Sequence, residues 1–223
     1  VHSHRGIAGH ITEAIGVPAF LAEYRLAPEH PFPAALDDAV AAFLALAEET
    51  TPERILVMGD SAGGGLSLAL SLTLRDRSLP MPGAIVALSP WTDLAGTGES
   101  LIDRASDEVM LDPTKIREVG EMYAGDLPLS DPLISPLYAD PDGLPPTLIH
   151  VGDHEILLDD SVRFWEECRE AGVDATLRVW PEMWHVFHAM APWIPEAQQA
   201  NREIARFWWQ VSGTGPPQRR STL

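Results

Sequence analysis

Ser61 lies in Gly-Asp-Ser-Ala-Gly (59–63), a G-x-S-x-G pentapeptide set between the apolar run ILVM and the helical stretch GGLSLALSLTLRD. A strand that enters a tight turn and leaves as a helix is the setting this pattern needs. Such a turn forces Ser61 into a strained backbone conformation that lifts its hydroxyl above a sheet. Gly59 and Gly63 are expected to keep the crowded turn free of side chains. The Ala62 N–H then opens the following helix, where it can donate to an oxyanion. A phosphate-cradling turn is the competing reading. The chain carries neither G-x-x-x-x-G-K-[ST] nor G-x-G-x-x-G, so its nucleotide-binding form is disfavoured.

A serine nucleophile needs a base and an orienting acid, which follow a serine in this setting in the order acid, then histidine. Of the eight histidines, His2, His4, His10 and His30 precede Ser61 and have the wrong order. His150 sits inside an apolar run and reads as a packed residue. His185 and His188 lie in PEMWHVFH, just after the run ATLRVW, where a catalytic histidine belongs. His188 falls one helical turn beyond His185 and is the weaker candidate. For the acid, the segment DHEILLDD offers Asp153, Glu155, Asp159 and Asp160. Asp159 and Asp160 read as caps of the next helix. Spacing alone leaves Asp153 and Glu155 both open.

The elements that must carry these residues alternate in type. GVPAFLAEY (16–24), RILVMG (54–59), GAIVALS (83–89), PTLIHVG (146–152) and ATLRVW (175–180) are short and bounded by Gly or Pro. Continuous apolarity of this kind predicts strands buried on both faces. Between them, 33–49, 62–76, 113–124, 160–171 and 196–211 have helical spacing. Pro33 stands near the start of the first of these, with Asp37 and Asp38 in its early turns. The alternation predicts an α/β fold with a parallel sheet covered on both faces. Residues 90–145, rich in Pro, Asp and Gly, read as an excursion from that sheet, and 1–212 as one domain followed by a frayed tail, 213–223.

Composition narrows the functions available. The 223 residues hold 15 Lys and Arg against 33 Asp and Glu, a formal charge of −18. That balance disfavours nucleic acid and anionic membranes, both of which need a basic face. An apolar fraction of 45% and seven Trp place the chain among globular proteins. The single cysteine, Cys168, excludes an internal disulfide framework and any zinc site built on cysteines. No apolar run approaches the roughly 20 residues of a membrane span, and VHSHRGIAGH has no signal-peptide core. The expected location is the cytoplasm.

YRLAPEHPFPAALDDA (24–39), GDSAGGGLSLAL (59–70), LSPWTDL (88–94) and WPEMWHVFH (180–188) together resemble the hormone-sensitive-lipase-like esterases of the α/β-hydrolase superfamily. The similarity runs from His4 to about Trp209. It implies hydrolysis of carboxylic esters with short acyl chains, with no metal or organic cofactor. It also implies a small-molecule partner and a homodimer through the edge strand ATLRVW. Ser61 matches the family's nucleophile and His185 its general base. The family's acid, usually Asp in D-P-L-x-D, falls on Glu155 when counted back from the helix-ending Gly172, within E-I-L-L-D. Ala62 matches one oxyanion donor. The family's H-G-G-G motif, which supplies the other donors, its cap helices and its first strands would precede Val1. By that comparison the 223 residues alone are expected to be poorly active.

The same triad could instead cleave an amide, carbamate or peptide bond, or the pocket could hold a ligand without turnover. Trp184 and Trp193 flank the His185 loop and could line an acyl pocket, although packing serves equally well. His2-x-His4 reads as a helix start rather than a metal pair. Phe207, Trp208 and Trp209 read as burial against the sheet, and Cys168 as a small core residue.

Overall fold

A computed structural model describes residues 4–216. His2 and residues 217–223 of the expected tail lie outside the described residues. Two compact units divide the chain: residues 24–186, and residues 4–23 together with 187–216.

The larger unit holds a four-stranded parallel sheet of β1 (Leu56–Asp60), β2 (Ala84–Leu88), β3 (Thr147–Gly152) and β4 (Ala175–Trp180). The strands lie side by side in chain order, with Gly59 opposite Ala87, Ala87 opposite Ile149, and Ile149 opposite Leu177. Every residue of β2 and β3 is buried. That is the environment their unbroken apolar sequences predict for central strands of a parallel sheet. The same expectation is corrected for β1, which is part-buried throughout, and for β4, where Arg178 and Val179 are exposed, because each of these strands is paired on one side only among the described residues. For these four strands the sequence-derived bounds hold to within two residues, and those of β4 are unchanged.

The connections are helical: α2 (Ala34–Glu49) precedes β1, α3 (Ala62–Asp76) joins β1 to β2, and α6 (Leu158–Glu170) joins β3 to β4. Leu68 and Leu72 of α3 and Phe164 and Cys168 of α6 pack with Ile85, Ala87 and Ile149 of the sheet. The alternate residues Val86, Leu88 and Leu148 are buried as well, so both faces are covered. α2 lies against α3 through Leu36, Val40 and Phe43. Arg25 clasps Asp38 of α2 with both its Nε and Nη2 at 2.9 and 2.8 Å. That hydrogen bonding holds the Asp38 carboxyl at about 2, below its ordinary value. The excursion from β2 to β3 carries α4 (Ser100–Asp103) and α5 (Ile116–Ala124). Trp91, Leu94, Ala124 and Ile134 pack there with Ile156 and Leu157.

The smaller unit pairs α1 (Arg5–Ile15) with α7 (Pro195–Ser212). Ile7, Ile11 and Ile15 of α1 and Ala197, Ala200, Ile204 and Trp208 of α7 are buried. The Trp209 indole N–H donates to the Ile15 carbonyl at 3.0 Å, so that side chain is held by a helix end. Gly16, with φ 84°, takes the left-handed conformation that closes α1.

One expected strand is absent. Residues 16–24 form no strand, and Val17, Phe20 and Leu21 are exposed, Phe20 to 64%. β-branched and aromatic residues favour extended backbone, but a strand exists only with a neighbour to bond. Among the described residues β1 pairs with β2 alone, so this stretch has no ladder to join. The described residues contain no helix long and apolar enough to cross a membrane.

Candidate active site

A parallel sheet brings the carboxyl ends of all its strands to one edge, and each candidate residue leaves the sheet there. Ser61 follows β1, Glu155 follows β3, and His185 lies in the loop after β4.

Ser61 adopts φ 55° and ψ −123° as the residue preceding α3. This is a costly conformation for a residue with a side chain, of the order of 1–3 kcal/mol. The end of β2 and the segment after it hold it in place. The Ser61 N–H donates to the Leu88 carbonyl at 2.9 Å, and its carbonyl accepts the Trp91 N–H at 3.0 Å. The glycines of the turn divide their tasks differently from the sequence expectation. A Cβ on Gly59 would collide with the Gly63 carbonyl, on Gly64 with Pro90, and on Gly65 with the Trp91 carbonyl. A Cβ on Gly63 would meet nothing nearer than the Tyr24 hydroxyl at 4.0 Å. The close approach needed by the turn is therefore made at Gly59, Gly64 and Gly65. Ala62 is the first residue of α3, where backbone N–H groups have no acceptor within the helix.

Glu155 and His185 meet. His185 Nδ1 lies 2.8 Å from Glu155 Oε2, and both side chains are buried. An ionised carboxylate only accepts, so a neutral imidazole in this contact carries its proton on Nδ1 and keeps the lone pair on Nε2. The other carboxylate oxygen, Oε1, accepts the Ser89 hydroxyl at 2.7 Å and the Gly152 N–H at 2.7 Å.

Asp153 does not reach His185. Its Oδ1 accepts the Glu182 N–H at 2.6 Å, at the start of the loop that bears the histidine. The same loop is fastened to the end of β3 by the Asp153 N–H on Trp180 O and the His154 N–H on Met183 O. His150 is buried in β3 with its ring tilted against Trp180. His188 stands in a 3-10 turn, Phe187–Met190, stacked on Phe187 at 4.1 Å between ring centroids. Trp193 is 74% exposed.

The expectation that Asp159 and Asp160 cap their own helix is corrected. α6 begins at Leu158, which puts both residues inside its first turn with their carboxylates directed to other loops. Asp159 Oδ2 accepts the Ser100 N–H at 2.9 Å. Asp160 Oδ2 accepts the N–H groups of Thr92 and Asp93 at 2.8 and 2.7 Å. Burial pushes the Asp160 carboxyl up to about 8, with those two N–H groups pulling against it. Asp93 is held below the usual carboxylate range. Its own desolvation is outweighed by Thr97, Tyr138 and Arg163.

Backbone strain gathers around the same edge. Ser61, Ser89, Glu182 and Val186 all have positive φ, at 55°, 45°, 59° and 51°. Such values are uncommon for residues with side chains, and for a β-branched valine they are an outlier. Clustering of this kind marks a constellation that the surrounding fold overdetermines. Ser89 and Val186 carry no local signature in the sequence. Ser89 sits where a strand ends before a proline, and no pattern of residue types announces a left-handed serine. Among the described residues no group of three His, Cys, Asp or Glu side chains could hold a metal ion.

The Abhydrolase_3 family, described as an alpha/beta hydrolase fold, matches residues 1–189. An acetyl-hydrolase of Streptomyces hygroscopicus is 41% identical over 214 residues, covering 96% of this chain and 72% of the relative. An esterase of Acinetobacter venetianus is 38% identical, covering 93% of this chain and 69% of its own. Among solved structures, EstE5 soaked with p-nitrophenyl butyrate superposes with a TM-score of 0.91 at 42% identity, over 95% of this chain and 71% of that one. An esterase from the bacterial hormone-sensitive lipase family gives 0.91 at 44% identity, over 94% and 71%. This chain thus spans about seven-tenths of the length of those proteins. With its parallel sheet, its strained serine turn and this family match, the chain belongs to the alpha/beta hydrolase family, alongside the hormone-sensitive-lipase esterases.

Proposed function

We propose that the chain is a serine carboxylesterase that cleaves short-chain esters through an acyl-enzyme. The buried 2.8 Å contact between Glu155 and His185, on the sheet edge that also presents strained Ser61, carries this reading. Ser61 Oγ attacks the ester carbonyl carbon while His185 Nε2 takes its proton. Glu155 holds the Nδ1 proton and favours the imidazolium that forms. The Ala62 N–H supplies one donor to the oxyanion. Collapse of the tetrahedral intermediate breaks the bond to the alcohol oxygen, which leaves with the proton from His185. Water then attacks acyl-Ser61, again losing its proton to Nε2. The acid departs and Ser61 recovers its hydroxyl.

The names of the relatives support the substrate class: an acetyl-hydrolase and an esterase, together with a structure soaked with a butyrate ester. The test is turnover of p-nitrophenyl acetate and butyrate by the protein at its natural length and by its Ser61→Ala variant. Removing the nucleophile lowers kcat by about 10³-fold or more. Equal turnover by the two proteins defeats the assignment.

A further inference from the structure

Ser89 holds a place in the site that its sequence does not advertise. Its side chain is buried, and its hydroxyl lies between two partners: it is 2.7 Å from Glu155 Oε1 and 3.1 Å from the Val186 nitrogen. The direction of both hydrogen bonds is fixed by chemistry. The Val186 N–H can only donate, so Ser89 Oγ accepts there. Its single proton is then committed to the Glu155 carboxylate, which can only accept. Val186 is the residue immediately after His185, and His185 Nδ1 closes on the other oxygen of the same carboxylate at 2.8 Å. A closed ring results: Glu155 Oε1, Ser89 Oγ, the Val186 nitrogen, the backbone and imidazole of His185, and Glu155 Oε2.

This ring constrains both ends of the acid–base pair. The hydroxyl orients the plane of the Glu155 carboxylate and pins the peptide that carries the His185 side chain. Ser89 is itself set by the sheet, because its N–H donates to the His150 carbonyl of β3 at 2.6 Å. Its φ of 45° is a conformation in which glycine would relieve strain, but glycine brings no hydroxyl. The neighbouring Leu88 carbonyl takes the Ser61 N–H, so the end of β2 and the residue after it touch the nucleophile's turn, the acid and the base's loop.

Resting on the esterase reading above, we infer that Ser89 is a positioning residue of the catalytic site. Its hydroxyl locks the Glu155 carboxylate to the backbone of His185 and so fixes the direction of Nε2. Partners that orient metal-ligating side chains in comparable fashion account for about 10–100-fold in activity.

The test uses Ser89→Ala and Ser89→Gly in the protein at its natural length, with Ser61→Ala as the reference for the reading itself. Ser89→Gly guards against misfolding, since glycine suits the left-handed backbone and is expected to keep Tm within about 5 °C. Both variants are expected to lose kcat on p-nitrophenyl acetate by at least about tenfold, with KM changed by less than about twofold. Fluorophosphonate labelling of Ser61 slows in parallel. The low-field proton resonance of His185 Nδ1, assigned by its loss in His185→Gln, shifts or vanishes in both variants. Ser89→Gly with undiminished kcat and an unmoved proton overturns the positioning role while turnover still depends on Ser61. A kcat loss that merely follows a loss of Tm, with the Nδ1 proton unmoved, overturns it too. Ser61→Ala as active as the parent overturns the esterase reading and this inference with it.

Discussion

Glu155 divides its two oxygens between tasks, one facing the imidazole and one held by Ser89 and Gly152. Glu155→Gln replaces an acceptor by an amide that can present N–H to Nδ1, which reverses the tautomer. A loss in kcat of about 10⁴-fold is expected, as for the equivalent change in other triads. Glu155→Asp retracts the carboxylate by roughly 1.5 Å, about one C–C bond, and opens the 2.8 Å contact. Its loss is expected to be smaller than that of the glutamine variant. Asp153→Asn keeps an oxygen for the Glu182 N–H and should retain kcat within about threefold. Steady-state kinetics on the three variants separates the two carboxylates. At this scale the sequence was legible where a residue carries a local signature. Ser61 lies in a turn with its own pattern, and His185 follows a strand. The choice between Asp153 and Glu155 was not legible from spacing, because it depends on how the chain reverses after β3. Ser89 was illegible because its role comes from three segments far apart in the chain.

Helix and strand boundaries followed from apolar spacing, and the bounds of α3 and β4 match residue for residue. The misreadings have a common physical origin: the partner was missing from the local sequence. Residues 16–24 have the composition of a strand and no neighbour to pair with among the described residues, and Asp159 and Asp160 resemble caps but serve the loops at Ser100 and Thr92. Asp160 has a measurable consequence at this scale. Its carboxyl is raised to about 8 in the folded chain from 3.8, so folding takes up a proton between those values. The stability it contributes is full below about pH 4 and is lost as pH rises through about 8. Asp160→Asn removes the titration but keeps an oxygen for the Thr92 and Asp93 N–H groups. Urea midpoints measured from pH 5 to pH 8 should fall less steeply for the variant than for the parent. An unchanged slope would show that Asp160 carries no such proton.

The whole chain bears a formal charge of −18, and this acts on substrates before any contact is made. A negatively charged ester is expected to show lower kcat/KM than a neutral ester of equal acyl length. Its value should climb between 10 and 300 mM salt, as screening shortens the field from about 30 Å to less than 8 Å. The neutral ester should be nearly insensitive to salt, and parallel curves for the two would remove the electrostatic effect. The alternation that revealed an α/β fold reports only local periodicity, whereas the side-by-side order of the four strands is a property of the assembled sheet. That order has a consequence for how the protein comes into being. Ser61, Ser89, Glu155 and His185 leave four successive strands, so a ribosome releases the proposed nucleophile more than a hundred residues before the proposed base. In the proposed mechanism a nascent or partly refolded chain therefore carries an inert serine. Reactivity arrives with the last strand, and the finished sheet acts as its own safety catch.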